Sequence, residues 1–172
     1  MIIIMRGTSC SGKDTFVYKE FEGFENHILS SDNFREMLFG TKTEQRKNRL
    51  MFDTMYEILE HRLSCRVPMT VVNSTNLRFK DIERVLELSK KYHTPIMVIS
   101  IQPPTLDELK RRNKKRCNNT GFFVPETVLE KHYNRYFAAI DPFIKEAIYN
   151  DNFRFTEIDQ EYNVIRVIEG KE

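Results

Sequence analysis

Near its start the chain carries Gly7-Thr8-Ser9-Cys10-Ser11-Gly12-Lys13, the spacing G-x-x-x-x-G-K, one residue after the apolar run Met1–Met5. A strand that ends in such a turn and then opens a helix aims successive backbone N–H groups at one point. The helix terminus adds partial positive charge there, and the lysine adds a mobile cation. That chemistry holds the phosphates of a nucleotide. Gly7, Ser9, Cys10, Ser11, Gly12, Lys13, Asp14 and Thr15 are therefore the candidate phosphate-binding residues, with Cys10 read as a small filler rather than a reactive thiol. The pattern departs from its usual form at one place. The hydroxyl residue that follows the lysine and binds Mg²⁺ is replaced by Asp14.

Other residues with chemical potential follow in order. Asp32 and Arg35 stand three apart at the start of a short helical segment, on one face. A carboxylate there can take a proton from an acceptor hydroxyl, and it can also act only as a helix cap. Asn73-Ser74-Thr75-Asn76 follows an apolar run and can line an acceptor groove or form a polar turn. Arg112 and Arg116 are four apart inside the basic stretch Lys110–Arg116 and can face one ligand together or lie solvated.

These residues need elements to position them. Short apolar runs at 1–6, 26–30, 69–73 and 95–101 read as buried strands. Helical patterns cover 13–21, 31–39 (with Ser31 or Asp32 as cap and Gly40 past the end), 44–66 and a segment from Phe79. A further helix begins after the capping-box pair Thr105 and Glu108 and ends near Arg116, followed by a loop over Cys117–Phe123. Pro125 opens another helix, and two late strands cover 153–159 and 162–169, one of them at a sheet edge. Strands alternating with helices predict an α/β fold with a mostly parallel sheet. The carboxyl ends of the first three strands should converge on one site. Of the aromatic residues, Phe34 reads as core, while Phe122 and Phe123 suit either core or base stacking.

Composition narrows the partners. The 172 residues hold 27 Lys and Arg against 25 Asp and Glu, a net charge of +2, so any polyanion contact must be local. Three separated cysteines offer neither a disulfide framework nor a zinc site and fit a reducing compartment. No apolar run approaches the about 18 residues of a membrane span, so a cytoplasmic protein without membrane contact is expected. No Asn-Lys-x-Asp guanine motif occurs, which turns the reading from a GTPase switch to a phosphotransferase. The expectation is a single domain over 1–172 with a lid at about 105–124.

The segments Gly7–Thr15, Ser30–Leu38, Ser74–Leu77, Glu108–Arg116 and Val124–Tyr136 together resemble the 5′-hydroxyl polynucleotide kinase domain of the bacteriophage type, across residues 1–137. The resemblance implies a P-loop kinase fold with a helical lid, ATP or another NTP with Mg²⁺ as cofactors, and 5′-hydroxyl ends of DNA or RNA as substrate. It makes Asp32 the general base. Arg35, Thr75 and Asn76 become acceptor contacts, and Lys13, Arg112 and Arg116 grip the donor phosphates, with Lys13, Asp32, Arg35 and Arg116 catalytic. Two departures stand out: Ser74 replaces an aspartate, and Asp14 replaces the Walker hydroxyl. They suggest that the carboxylate organising Mg²⁺ has moved to Asp14. No phosphatase motif Asp-x-Asp-x-Thr is present. The alternatives are a kinase for a nucleoside, sugar or antibiotic hydroxyl, and a nucleotide-gated binding module without phosphate transfer.

Overall fold

The computed structural model describes residues 1–170. Strands β1 (Ile2–Arg6), β2 (Ile28–Ser30), β3 (Thr70–Asn73), β4 (Ile96–Ile101), β5 (Phe153–Ile158) and β6 (Val164–Ile168) form one sheet in the order β2-β3-β1-β4-β5-β6. All neighbours pair in parallel except β5 and β6, which run antiparallel and leave β6 at the edge. The helices are α1 (Lys13–Glu20), α2 (Ser31–Phe39), α3 (Asn48–Ser64), α4 (Glu83–Tyr92), α5 (Leu106–Thr120), α6 (Glu126–Ala138) and α7 (Asp141–Tyr149). This is the α/β architecture predicted from the alternation of apolar runs and helical periods.

β1 lies in the middle, between β3 and β4. Its side chains alternate between two cores, as a strand covered on both faces requires. Ile2 and Ile4 pack with Val72, Val98 and Phe155 under α3, α4 and α7. Ile3 and Met5 pack with Val71 and Ile101 under Phe16 and Val17 of α1. The chain leaves β1 where its neighbours diverge in connection. That break at the carboxyl ends of the strands is where open α/β sheets take ligands.

Several predicted boundaries need correction, each for a local reason. The helix expected over 44–66 begins only at Asn48, because the Glu44 carboxylate accepts the Arg46 N–H at 2.7 Å and pairs with its guanidinium, closing a turn that competes with helix. Residues 25–27 form a 3₁₀ turn rather than the start of β2. Neither Ser31 nor Asp32 caps α2: the helix already includes both, and Ser30 at its N-cap makes no side-chain cap bond. Residues 79–82 form a 3₁₀ turn before α4. α5 runs past Arg116 to Thr120, so most of the expected loop at Cys117 is helical. It stops at Gly121, whose left-handed φ of 70° lets its N–H reach the Cys117 carbonyl at 2.7 Å. Pro125 sits at the N-cap of α6 rather than as its first residue. α7 lacks any counterpart in the sequence reading.

One polar network lies inside this apolar frame. Arg6, at the end of β1, is fully buried. It donates to Ser100 Oγ (2.9 Å) and to the carbonyls of Leu77 and Tyr136, and its guanidinium lies 4.2 Å from the Tyr136 ring centre. The Tyr136 hydroxyl donates to Glu157 Oε1 at 2.8 Å, and Glu157 pairs with Arg166. Burial brings the Arg6 pKa down to about 10, against the pull of Tyr136 and Glu157. The network ties α6 to β1, β4 and β5. Replacing Tyr136 with Phe leaves Glu157 and Ser100 each short of a partner in a dry place. Urea unfolding of Tyr136→Phe should show a loss of about 1–3 kcal/mol, and an unchanged midpoint would mean that the network carries no stability.

Candidate active site

The loop after β1 is fixed from both sides. Gly7 N–H continues the parallel ladder by donating to the Thr75 carbonyl at 3.0 Å. A Cβ on Gly7 would stand 2.9 Å from Ser11 Oγ. Gly12 has φ 91° and Cys10 φ 64°, two left-handed residues that curl the loop before α1 opens. α1 starts at Lys13 with no side-chain cap, so its first N–H groups remain for a ligand. The hydroxyls of Thr8 and Ser11 are buried without partners. A curled loop with an uncapped helix end and orphaned donors is what an anion cradle looks like before its anion arrives.

From the far side, the turn after β5 braces the loop. Gln160 donates to the carbonyls of Ser11 and Gln102 and accepts from Arg112 at 2.7 Å. The Tyr162 hydroxyl reaches the Gly12 carbonyl at 3.4 Å. From α6, His132 Nδ1 lies 3.3 Å from Ser9 Oγ. Sequence reading missed Gln160, Tyr162 and His132 as site residues, since nothing local marks a contact across 120 or more positions.

Lys13, Asp14 and Asn73 form a triangle. Lys13 Nζ donates to Asn73 Oδ1 (2.7 Å) and Asp14 Oδ1 (3.1 Å), and Asn73 Nδ2 donates to the same Asp14 oxygen (2.9 Å). The Lys13 charge, with the Asn73 bond, holds the Asp14 carboxyl below the usual carboxylate range against its partial desolvation in the cleft. The second Asp14 oxygen makes no hydrogen bond among the described residues, and the side chain is 60% exposed toward the cleft. No group of three His, Cys, Asp or Glu side chains able to hold a metal occurs among the described residues. A single carboxylate oxygen facing a phosphate cradle fits Mg²⁺, which binds through one or two carboxylates plus substrate phosphates and keeps its waters.

Across the cleft, Asp32 accepts from Arg35 NH1 at 2.7 Å. The rest of that guanidinium is held by Asn48 Oδ1 (2.9 and 3.2 Å), so Arg35 links α2 to the first residue of α3. Lys13, Asp14, Thr15, Asp32, Arg35 and Arg116 all line a single cleft of about 1260 Å³. Thr75 lines it too, while its carbonyl holds Gly7. Asn76 differs from the expectation. It also borders the cleft, but its side chain turns inward to the Met5 carbonyl at 2.8 Å, with φ 44°, so it fixes the β1–β3 junction instead of offering its amide to an acceptor.

On α5 the two arginines part company. Arg112 is neutralised by Glu108 (2.8 Å) and braces Gln160. Arg116 has no carboxylate partner among the described residues. It stacks 4.5 Å over the Phe122 ring, donates to Asn113 Oδ1 and keeps a buried Nε without a partner. Phe122 thus supports Arg116, Phe123 is 46% exposed, and Phe34 is core as expected. Burial pushes the Cys10 thiol up, away from the reactive thiolate, consistent with its reading as filler.

Among solved structures, the chain is similar at 23% identity and TM-score 0.69 to one in the Pnkp1/Rnl/Hen1 RNA repair complex, covering 82% of this chain and 45% of that one. It is also similar to a gluconokinase from Sinorhizobium meliloti 1021 (17% identity, TM-score 0.50, 90% and 81% covered). A third is Kti12 from Chaetomium thermophilum in complex with ADP-AlF3 (15%, TM-score 0.59, 79% and 80%). At such identities these likenesses speak for the fold. The chain spans less than half of the RNA repair protein it matches. No curated protein sequence matches it.

Gly12→Ala tests the cradle. The new Cβ has room, with Tyr162 Oη at 3.5 Å, so the penalty comes from φ 91° alone. Unfolding should lose about 1–2 kcal/mol and calorimetric ATP affinity should fall with it; unaltered values for both would mean that the left-handed turn does not shape the site. A match over residues 2–139, most of the sequence, places the chain in the AAA domain family AAA_33, as a P-loop kinase-like domain.

Proposed function

We propose that the protein is an ATP-dependent phosphotransferase that moves the γ-phosphate of ATP, or another NTP, to the 5′-hydroxyl end of DNA or RNA. The observation that carries this reading is the placement of the Asp32 carboxylate and the Lys13 loop on one cleft, with Arg35 gripping Asp32 at 2.7 Å. A cradle alone would serve a switch. A carboxylate positioned opposite it serves transfer.

The chain's own residues divide the work. The loop N–H groups and Lys13 hold the donor phosphates, and Arg116, unpaired by any carboxylate among the described residues, meets the charge that builds on the transferred group. The stretch from about 105 to 124, which contains α5, acts as the lid that brings Arg116 over the donor. Arg35 orients Asp32. The acceptor oxygen attacks the γ-phosphorus in line, the bond to the β–γ bridging oxygen breaks, and Asp32 takes the proton of the acceptor hydroxyl. Asp14 is the residue that would hold Mg²⁺ through its free oxygen. The ion, when bound, neutralises phosphate charge.

The choice of a polynucleotide end as acceptor is supported by the ordered set Asp32-x-x-Arg35, Thr75 and Arg112-x-x-x-Arg116 and by the similarity to a chain of an RNA repair complex. A kinase for a small hydroxyl compound would keep the same donor end. Asp32→Asn should bind ATP as the wild type does while transfer falls by about 10²–10⁴. Single-turnover transfer beside calorimetric ATP binding reads the two separately, and full turnover in the variant would remove Asp32 from the mechanism.

A further inference from the structure

The phosphate loop carries strain of its own. Cys10 lies at φ 64° in the middle of it, a left-handed conformation that a residue with a Cβ adopts only at a cost. Little inside the loop offsets that cost. The Ser11 N–H donates to the Thr8 carbonyl at 3.3 Å, and the hydroxyls of Thr8 and Ser11 have no partner among the described residues. Such a curl persists only where its surroundings hold it. One hold is the pair Arg112 and Gln160: Arg112 reaches the Cys10 carbonyl at 3.5 Å, and Gln160 donates to the Ser11 carbonyl at 3.2 Å. A second hold comes from α6, where His132 Nδ1 meets Ser9 Oγ, the residue just before Cys10, at 3.3 Å.

α6 is suited to be the fixed end of that contact. One turn after His132, the Tyr136 carbonyl accepts from the buried Arg6, and the Tyr136 hydroxyl bonds Ser100 and Glu157. His132 therefore stands on a helix pinned to β1, β4 and β5, while Ser9 stands on the strained turn. Burial, with Arg135 and Lys131 nearby, holds the imidazole below its ordinary range against the pull of Asp81. A neutral ring leaves Nδ1 able to accept from the Ser9 hydroxyl. We infer that His132 is a positioning residue for the phosphate loop: bonded to Ser9, it keeps the turn through Cys10 curled before the nucleotide arrives. The bond touches no reacting atom. Its effect is on donor affinity, because a loop already curled binds phosphate without first having to be ordered. With the bond gone, Cys10 relaxes toward right-handed backbone, and only the fraction of molecules that keep the curl is competent to bind. The inference rests on the nucleotide-binding part of the kinase reading and on nothing about the acceptor.

The test is a double-mutant cycle read by calorimetry on the full chain, titrating a non-hydrolysable ATP analogue with Mg²⁺. His132→Phe keeps the bulk of the ring and removes Nδ1; Ser9→Ala removes the hydroxyl. Each should weaken the analogue about three- to tenfold, the usual scale of one hydrogen bond, and the double variant should lose no more than either alone. His132→Asn, whose amide oxygen can stand where Nδ1 does, should recover most of the affinity. Wild-type affinity in His132→Phe or in Ser9→Ala, losses that multiply in the double variant, or an Asn variant no better than the Phe variant overturns the positioning role. Should His132→Phe fail to fold, Ser9→Ala and His132→Asn decide the matter by the same criteria, with Asn at wild-type affinity and Ser9→Ala weakened as the supporting result. A wild-type chain that binds no nucleotide refutes the kinase reading together with this role. One that shows the coupling yet transfers phosphate to no acceptor supports the role and refutes transfer.

Discussion

The contact between Lys13 and Asn73, with the parallel bond from Gly7 to Thr75, is the interaction on which the rest of the structure depends. It joins the loop after β1 to the end of β3 and so fixes the lysine, the curl of the cradle and the direction of the cleft at once. Asn76 supports the same junction from below through the Met5 carbonyl. A parallel sheet makes this possible because its strands end side by side. Three consecutive strand ends in space then bring together residues that lie about sixty positions apart in the chain.

Charge is arranged around that junction with little left over. Most cleft cations have a carboxylate within ion-pair distance. Their effect is on geometry: Asp32 is aimed by Arg35, Asn73 and Lys13 share one oxygen of Asp14, and Glu108 sets Arg112 against Gln160. The deeper pair is different. Arg6 and Glu157 are buried and linked through Tyr136, where an unmatched charge would be costly, and they lock α6 against the sheet. The cleft face of α6 inherits its position from that lock.

Much of this was legible in the sequence. G-x-x-x-x-G-K after a β-branched run names both a loop and its setting, because only a strand on one side and a helix on the other make the spacing useful. The clustering of Gly7–Thr15, Ser30–Arg35 and Asn73–Asn76 around one cleft followed from the rule for strand ends. What stayed hidden was side-chain commitment. Asn76 reads as a polar groove residue, yet it serves the backbone; Arg35 reads as an acceptor contact and Arg112 as a donor-phosphate contact, yet each is held by a carboxylate. Gln160 and Tyr162 brace the cradle from a turn near the end of the chain, and no local pattern announces that. The helix limits at Asn48 and Thr120 were misjudged because a single turn closed by Glu44, and a glycine five residues beyond the last basic residues, outweigh periodicity.

The account stands on a cradle and a proton acceptor that share one cleft and serve one reaction. Its most direct test is transfer of labelled γ-phosphate by the purified chain, with Mg²⁺, to 5′-hydroxyl DNA and RNA oligonucleotides beside a panel of nucleosides and sugars. The account predicts label on the 5′ end of at least one oligonucleotide and far less on the small hydroxyl compounds. Label confined to a nucleoside or sugar, or no transfer to any acceptor while ATP binds, would contradict it.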